Sequence, residues 1–435
     1  MNQNFKQDDI SLNNRILDAL SENDIQNFLI HTKTTDSEEL FFVKKEKVLH
    51  RGKHVIHSDV TIYHDFEIDG QAYRGSFTFT ANLNMSAEEL SKKVKNAYTS
   101  AHSVKNPYYK LPSGSQMFSE HESDTAATSV SDLLRADDIA AVIYKNDSSE
   151  QTFINSLEIF VNHAYVHIIN SNGVNVSFAN AVYEGEFVAQ STVSEDVELY
   201  RDFKYSSKDT NLEDSLSEYV TTSLQAAHDR SIARPFADVV KDESYKKIIL
   251  KGNCLYDLFK YYLVKSDASM IYPEYSKYAI DDFITSDVSN EKISMTLAPN
   301  IPYSDEGIEL RSLNIIKDNQ IRFITGNAMY AAYLGIEPTG TYDSYSLLSG
   351  DTSIEEMKSE PFLMVSDFSD FQMDEFTGAF GGEFRLGYYF DGETVTPVTA
   401  GSVNGNINEL KGLKLSKETR NSYHYNGTVA ISYNK

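Results

Sequence analysis

The sequence predicts an α+β protein, with an N-terminal α/β region of sheet and helix followed by a largely β C-terminal domain. Three observations predict it. β-Branched and aromatic runs are bounded by Asp-Gly and Asn-Gly turns, amphipathic helical stripes interrupt them, and hairpin signals dominate the second half. At 435 residues the chain exceeds one ordinary core and divides into two or three packed units.

The first helix is expected near Ser11–Leu20, where Leu12, Ile16, Leu17 and Leu20 recur at helical spacing. Strands are expected over Ile25–Thr32, Leu40–Leu49 and Val55–Glu67, and Asp69-Gly70 turns the chain into Tyr73–Thr80. Ala87–Ser103 reads as a helix, with Ser86 and Glu89 as a capping box and Leu90, Val94, Ala97 and Ala101 on one face. From 111 to 131 the sequence is small, polar and aperiodic, as an exposed connection would be. It divides an N-terminal domain, 1–235, into subdomains of about 1–110 and 132–235. The second carries strands between Ser156 and Ser206, a tight turn at Asn172-Gly173, and a helical stripe of Leu212, Leu216, Val220, Leu224 and Ala227 that ends before Arg234-Pro235.

The C-terminal domain, 236–435, opens with a strand over Lys246–Leu250. A helix over Asn253–Val264 follows, capped by Asn253 and apolar at Leu255, Leu258, Phe259, Tyr262 and Leu263. Hairpins are expected around Lys317–Gln320 and Asp391-Gly392, and Gly378, Gly381, Gly382 and Gly387 crowd one stretch.

A formal net charge of −25, without any Lys/Arg stripe to offset it, repels phosphate backbones, so no nucleic-acid partner is expected. Solubility accounts for the acidity, and attraction of basic peptides is the sharper alternative. No apolar run approaches the ~20 residues of a membrane span, and the start lacks the regions of a secretory signal. A cytoplasmic protein without membrane contact is the expectation. The single cysteine, Cys254, fits a reducing compartment.

Zinc hydrolysis on a helix needs paired histidines beside a glutamate, and neither HExxH nor HExxxH occurs. His163 and His167 fall in a strand-like run, where four residues span roughly 13 Å. His50, His54, His57 and His64 read as a solvated sheet face. Cys254 near a helix start could gain thiolate character from the helix dipole, but no histidine pairs with it in sequence, and a small core residue is the favoured reading. Nucleophile elbows and phosphate-binding glycine loops are absent.

Asp305-Glu306-Gly307, followed by RSLNIIKDNQIRFITGNAMYAAYLG and then EFTGAFGGEFRLGYYFDGETVTPVTAGSVNGNINEL, resembles the TldD/TldE (PmbA) family of peptide-processing metalloproteases. The family's DEG turn, glycine segment, D/N-G turn, PV and GN appear here in order as Asp305, Glu306, Gly307, Gly378, Phe380, Asp391, Gly392, Pro397, Val398, Gly405 and Asn406. The stretches HAYVHIINSNGVNVSFANAVYEGEFVAQS and QAYRGSFTFTANLNMSAEELSKKVKNAYTSA are similar to the family's middle and N-terminal segments, so the resemblance spans most of the chain.

In catalytic relatives, the resemblance implies, the helix after the KKIIL-like strand bears HExxxH and a later cysteine completes a zinc site. Here that helix reads CLYDLFKYYL, with Leu258, Phe259 and Tyr262 where ligands would be, and no cysteine follows Cys254. GTYDSY from Gly340 to Tyr345 also departs from the family's GN stretch. The pattern resembles the non-catalytic TldE type. It implies a chain that is inactive alone, binds no cofactor, and pairs with a zinc-bearing TldD-like subunit or with itself. The peptide-binding or channel candidates are Asp305, Glu306, Gly307, Gly378, Phe380, Gly381 and Gly382, where an extended peptide would add to a sheet edge. A stand-alone homodimeric peptide-binding scaffold is the alternative, and a hydrolase using Cys254 is a third reading.

Overall fold

The structure is a computed structural model that describes residues 3–114, 134–194, 197–241 and 245–435, with side chains from Asp9 onward. The N-terminal domain is α1 (Gln3–Glu22), β1 (Asn27–Val43), β2 (Glu46–Ile68), β3 (Gln71–Ala81), α2 (Ala87–Ala101), β4 (Asn106–Pro107), α3 (Ala136–Lys145), β5 (Thr152–Asn170), β6 (Asn175–Ser191), β7 (Glu198–Ser206) and α4 (Leu212–Ser231). Its strands form one antiparallel seven-stranded sheet in the order β4-β3-β2-β1-β5-β6-β7.

Side chains alternate across a strand, so each long strand has one face to spend on helices. Ile30, Leu40 and Phe42 of β1 share a face with Leu157, Ile159 and Val161 of β5 and are buried there. Leu12, Ile16, Leu90 and Val94 of α1 and α2 pack on one end of that face, against Ile30, Val60 and Ile62. Ile139, Ile143, Leu216 and Val220 of α3 and α4 pack on the other end, against Leu40 and Phe187. The opposite face stays open to the C-terminal domain: Val166, Ile168 and Phe178 meet Tyr303 and Ile301.

The division expected near 111–131 therefore does not divide the sheet. β1 pairs β5 from Leu29–Asn170 to Val43–Ser156, so the parts 1–110 and 132–235 share one ladder and keep only separate helical layers. Most of the expected connection, residues 115–131, lies outside the described residues. The expected strand Leu40–Leu49 is two strands, because Lys44, with φ 52°, turns the chain without a glycine or asparagine to mark it. α1 starts well before Ser11, its first turns being polar in sequence and therefore aperiodic. α3 has no sequence assignment: it is short, and Arg135 at its N-cap offers no side-chain acceptor, so its first turn is closed from within by the Arg135 N–H donating to Asp138 Oδ2 at 3.0 Å. The expected α2 capping box is present, with the Glu89 N–H donating to Ser86 Oγ and the Ser86 N–H to Glu89 Oε2.

The C-terminal domain runs β8 (Arg234–Pro235), α5 (Phe236–Val239), β9 (Lys247–Lys251), α6 (Cys254–Lys265), α7 (Ala268–Ile271), β10 (Met295–Leu297), β11 (Leu313–Lys317), β12 (Gln320–Ile321), α8 (Ala328–Leu334), β13 (Tyr345–Leu347), α9 (Ile354–Met357), β14 (Phe362–Phe368), β15 (Gln372–Met373), β16 (Ala379–Phe390), β17 (Val395–Thr399), β18 (Gly401–Asn406), β19 (Lys414–Leu415), β20 (Thr419–Asn421), β21 (Tyr425–Thr428) and β22 (Ala430–Asn434). Among the described residues these strands form two sheets. One is β12-β11-β10-β13-β21-β20, and the other is β19-β22-β9-β14-β16-β17-β8, with β15 and β18 also on β16. α6 packs in the core that both sheets share, where Leu255, Leu258, Phe259 and Tyr262 join Leu250, Met295, Ile315 and Phe384. Asn253 stands at its N-cap, but its side chain makes no cap bond and instead accepts from Arg420 Nη1 at 2.6 Å.

His167 ties α1 to the sheet. Its Nδ1 lies 2.8 Å from Asp9 Oδ2 and its Nε2 2.8 Å from Asn175 Oδ1, while Asn13 Nδ2 donates to Asp9 Oδ1 at 3.0 Å. An acceptor at each ring nitrogen suits the doubly protonated imidazole. Burial opposes the charged ring, but the hydrogen bonds to Asp9 and Asn175 and the Asp9 charge outweigh it and hold the pKa above the ordinary value. The stability this contributes is fully present below the unfolded pKa and is lost as pH rises through the raised folded pKa. His167→Ala should therefore cost about 2 kcal/mol at pH 6 and less at pH 9. Urea unfolding at the two pH values checks this, and an unchanged midpoint at pH 6 would contradict it.

Candidate functional site

The N-terminal turn of α6 leaves the C-terminal core pointing at the open face and last strand of the N-terminal sheet, and a cleft of about 560 Å³ lies between them. Three layers build it. Phe160, Glu184, Glu186, Asp202 and Lys204 come from β5, β6 and β7; Asn253, Tyr256 and Asp257 come from α6; Arg420, Ser422, Tyr423, His424 and Tyr425 come from β20, β21 and the turn between them. The two domains meet at its edge and on the helix side of the sheet. The Tyr423 N–H donates to the Lys204 carbonyl at 3.0 Å, Asn180 Nδ2 donates to Tyr423 Oη at 3.2 Å, and Arg201 Nη2 pairs with Asp367 Oδ1 at 2.6 Å. Tyr388 Oη donates to Asp229 Oδ2 at 2.6 Å.

The cleft's charges are unevenly paired. Lys204 Nζ sits 3.3 Å from Glu184 Oε2 and 4.8 Å from the Tyr423 ring centroid. Arg420 is held by Asn253 and lies 5.2 Å over the Tyr425 ring. Both cations thus have partners. Asp257 is an exposed residue with no hydrogen-bond or ion-pair partner among the described residues, and partial desolvation by its neighbours raises its pKa above the ordinary carboxylate value against the Lys260 and Arg420 charges. Glu186 and Asp202 are cross-strand neighbours; burial first, then the Asp202 and Glu158 charges and a hydrogen bond with Asp202, raise the Glu186 pKa. The walls are aromatic. Tyr256 stacks on Tyr345 at 5.6 Å and donates its hydroxyl to the Asp343 carbonyl, and the His424 ring lies 4.9 Å from Tyr423. Burial lowers the His424 pKa, opposed by Asp343, whose carboxylate is 3.5 Å from Nδ1. Charged groups over aromatic walls can bind and orient a ligand.

The residues singled out in the sequence do not converge on this cleft. Asp305-Glu306-Gly307 forms the joint between domains: Asp305 Oδ1 is 3.5 Å from His31 Nε2, and Glu306 Oε2 accepts from the Ala328 N–H at 2.9 Å beneath Tyr63 and Tyr109. Burial raises the Glu306 pKa, and burial together with the Glu306 charge pushes Tyr109 up to about 12. Gly307, with φ +78°, presses on the sheet, where an added Cβ would stand 2.4 Å from Val174 Cγ1. Gly378 turns at φ +80° against Asn408 and Asn406, and Phe380 is buried in the core. Gly381 and Gly382 do accept close backbone neighbours, but these are the chain's own Val403 and Asp370 carbonyls. β15 pairs one edge of this stretch of β16 and β18 pairs the other, so no edge is left there for a peptide. Leu258, Phe259 and Tyr262 face the core, whereas Asn253, Tyr256 and Asp257 on the same helix face the cleft. Nothing in the sequence pattern singled out that polar side or the Arg420–Tyr425 segment, whose members meet only through the tertiary fold.

His163 and His167 lie on β5, as their strand-like run suggests. His50 and His54 lie exposed on the sheet and each meets a carboxylate of β1: His50 Nε2 is 3.2 Å from the diagonal Glu38 Oε1, and His54 Nδ1 bonds Oδ1 of its cross-strand partner Asp36. His64 stacks on His102 at 3.5 Å.

Cys254 begins α6 but faces inward, with its Sγ 3.7 Å from the Lys251 carbonyl, and burial pushes the thiol up to about 12. Desolvation outweighs the helix dipole here. The folded protein should therefore resist iodoacetamide at pH 8 while the urea-unfolded chain is alkylated, as read by intact mass. Rapid alkylation of the folded chain would contradict this.

Residues 243–431 match the family model of the PmbA/TldA metallopeptidase C-terminal domain. Among solved structures, the chain is similar to TldE from Thermococcus kodakarensis, with 15% identity, a TM-score of 0.71 and coverage of 97% of this chain and 98% of that one. It is similar also to proteins described as candidate modulators of DNA gyrase. The one from Thermotoga maritima is 14% identical with a TM-score of 0.71, covering 98% of this chain and 99% of its own. The one from Bacteroides thetaiotaomicron is 14% identical with a TM-score of 0.72, covering 100% and 98%. No curated protein matches the sequence. Residues 243–431 thus carry a PmbA/TldA metallopeptidase C-terminal domain, and nearly the whole length of the chain has the fold of these structures.

Proposed function

We propose that this chain is a non-catalytic, TldE-like subunit of a peptide-processing metallopeptidase. In this reading it pairs with a TldD-like chain that carries the zinc and helps to wall a channel admitting unfolded or short peptides. The observation that carries the proposal is the inward face of α6. Leu258 and Phe259 are 0% and Tyr262 2% exposed, within the core of the metallopeptidase-type domain. The helix on which the resemblance places HExxxH in catalytic relatives spends that face on apolar packing. A charged or metal-binding group there would have to be buried among Met295, Ile315 and Phe384, at the cost of stripping its hydration.

What remains polar on the helix faces the cleft between domains, which suits recognition more than packing. Peptide candidates accordingly move from Gly378–Gly382, whose strand is paired on both edges, to the cleft and to β7, the last strand of its sheet. The net charge of −25 speaks against direct contact with DNA. No helix among the described residues is long and apolar enough to cross a membrane, and a cytoplasmic location is part of the proposal.

The test mixes the purified chain with an HExxxH-bearing TldD-type chain and assays a flexible peptide. The proposal expects a stable mixed complex and chelator-sensitive cleavage that the chain lacks on its own. Chelator-sensitive cleavage by this chain alone would overturn it. A homodimer that ignores the TldD-type chain yet binds extended peptides would select the scaffold reading instead.

A further inference from the structure

Among the described residues β7 is an edge strand, with no strand on its outer side. Its even-numbered residues turn their backbone groups outward, as two contacts from the C-terminal domain show: the Lys204 carbonyl accepts from the Tyr423 N–H at 3.0 Å and the Glu198 carbonyl from Arg385 Nη1 at 3.5 Å. Between those two points the chain runs through Asp202 into the cleft. The outward register matches the side chains. Glu186 and Asp202, directly opposite across β6 and β7, touch through their carboxyl groups, as non-hydrogen-bonded pairs do with their shorter separation.

The cleft beside this edge is large enough for a short peptide segment, since ligand pockets run from roughly 300 to 1,000 Å³. Lys204 is paired with Glu184, so Glu186, Asp202 and Asp257 face only the charge of Arg420, which bonds the neutral Asn253, and the lining keeps an excess of negative charge. Tyr256, Tyr423 and Phe160 line the path toward Asp257, which suits an aliphatic stem ending in a positive charge. A neutral side chain would leave the excess negative charge of the lining in place, and an acidic one would add to it.

We infer that the cleft is a subsite for a basic residue of an extended peptide, whose backbone pairs with the outer edge of β7 while its Lys or Arg side chain reaches between Asp202 and Asp257. This rests on the proposal that the chain admits extended peptides, and it names their class. The excess negative charge of the whole chain draws such peptides in from solution.

The test titrates the full chain with three end-blocked pentapeptides of the form Ala-Ala-X-Ala-Ala, with Arg, Gln or Glu at X, by calorimetry at low and at physiological salt. The Arg peptide should bind at least tenfold more tightly than the Gln peptide, with the margin shrinking as salt rises, and the Glu peptide should bind least. Asp257→Asn and Glu186→Gln should each erase most of the Arg preference, and Asp257→Glu should retain it. Circular dichroism of each variant separates lost binding from lost folding, and the salt dependence of the unmodified chain stands if a variant does not fold. Equal binding of the Arg and Gln peptides would overturn the inference and leave the subunit proposal intact. An Arg preference untouched by both substitutions would overturn the site. Binding of no peptide by the chain, while the mixed complex still forms and cleaves, would overturn the inference alone; loss of the mixed complex would overturn the subunit proposal independently.

Discussion

The register between β1 and β5 is the constraint on which the rest of the molecule depends. Fifteen consecutive residues of β1, Leu29 to Val43, pair with β5, and both strands carry apolar residues on alternate positions. Because the side-chain period is two, a slip by one residue would turn Ile30, Leu40 and Phe42 away from the helices and send polar groups into two cores at once. One register satisfies both the α1/α2 layer and the α3/α4 layer. It also decides what the other face offers: Val166 and Ile168 for docking the C-terminal domain near one end, and Phe160 and Glu184 for the cleft farther along.

The C-terminal domain answers that face with two kinds of contact. Gly307 and Tyr303 close the apolar end, where only a glycine clears Val174 at a positive φ. Tyr423 reaches the Lys204 carbonyl at the other end, and on the helix side of β7 Arg201 pairs with Asp367 in an ion pair that is mostly shielded from solvent. Contact at both ends with a gap between them produces the cleft. The DEG turn lies at that apolar end, away from the cleft, with Gly307 against Val174 and Asp305 beside His31.

Much of the fold was legible because it rests on local signals. The α2 capping box, the Asp69-Gly70 and Asn172-Gly173 turns and the α4 stripe each involve neighbours in sequence. The Lys44 turn carried no such signal, and the union of two expected subdomains into one sheet depends on pairing β1 with a strand more than a hundred residues away. The cleft was illegible for the same reason. Asp257, Arg420 and Asp202 come from different elements, and each alone is an unremarkable surface charge. The apolar inward face of α6 was the exception, since its 3.6-residue period was visible before its neighbours were known.

The central claim is that α6 gives this chain family architecture while the metal chemistry belongs to a partner. Zinc content by elemental analysis, on the isolated chain and on a purified mixed complex with an HExxxH-bearing TldD-type chain, tests it most directly. The account predicts zinc in proportion to the partner and none retained by the isolated chain after dialysis. One tightly held zinc per isolated chain would contradict it.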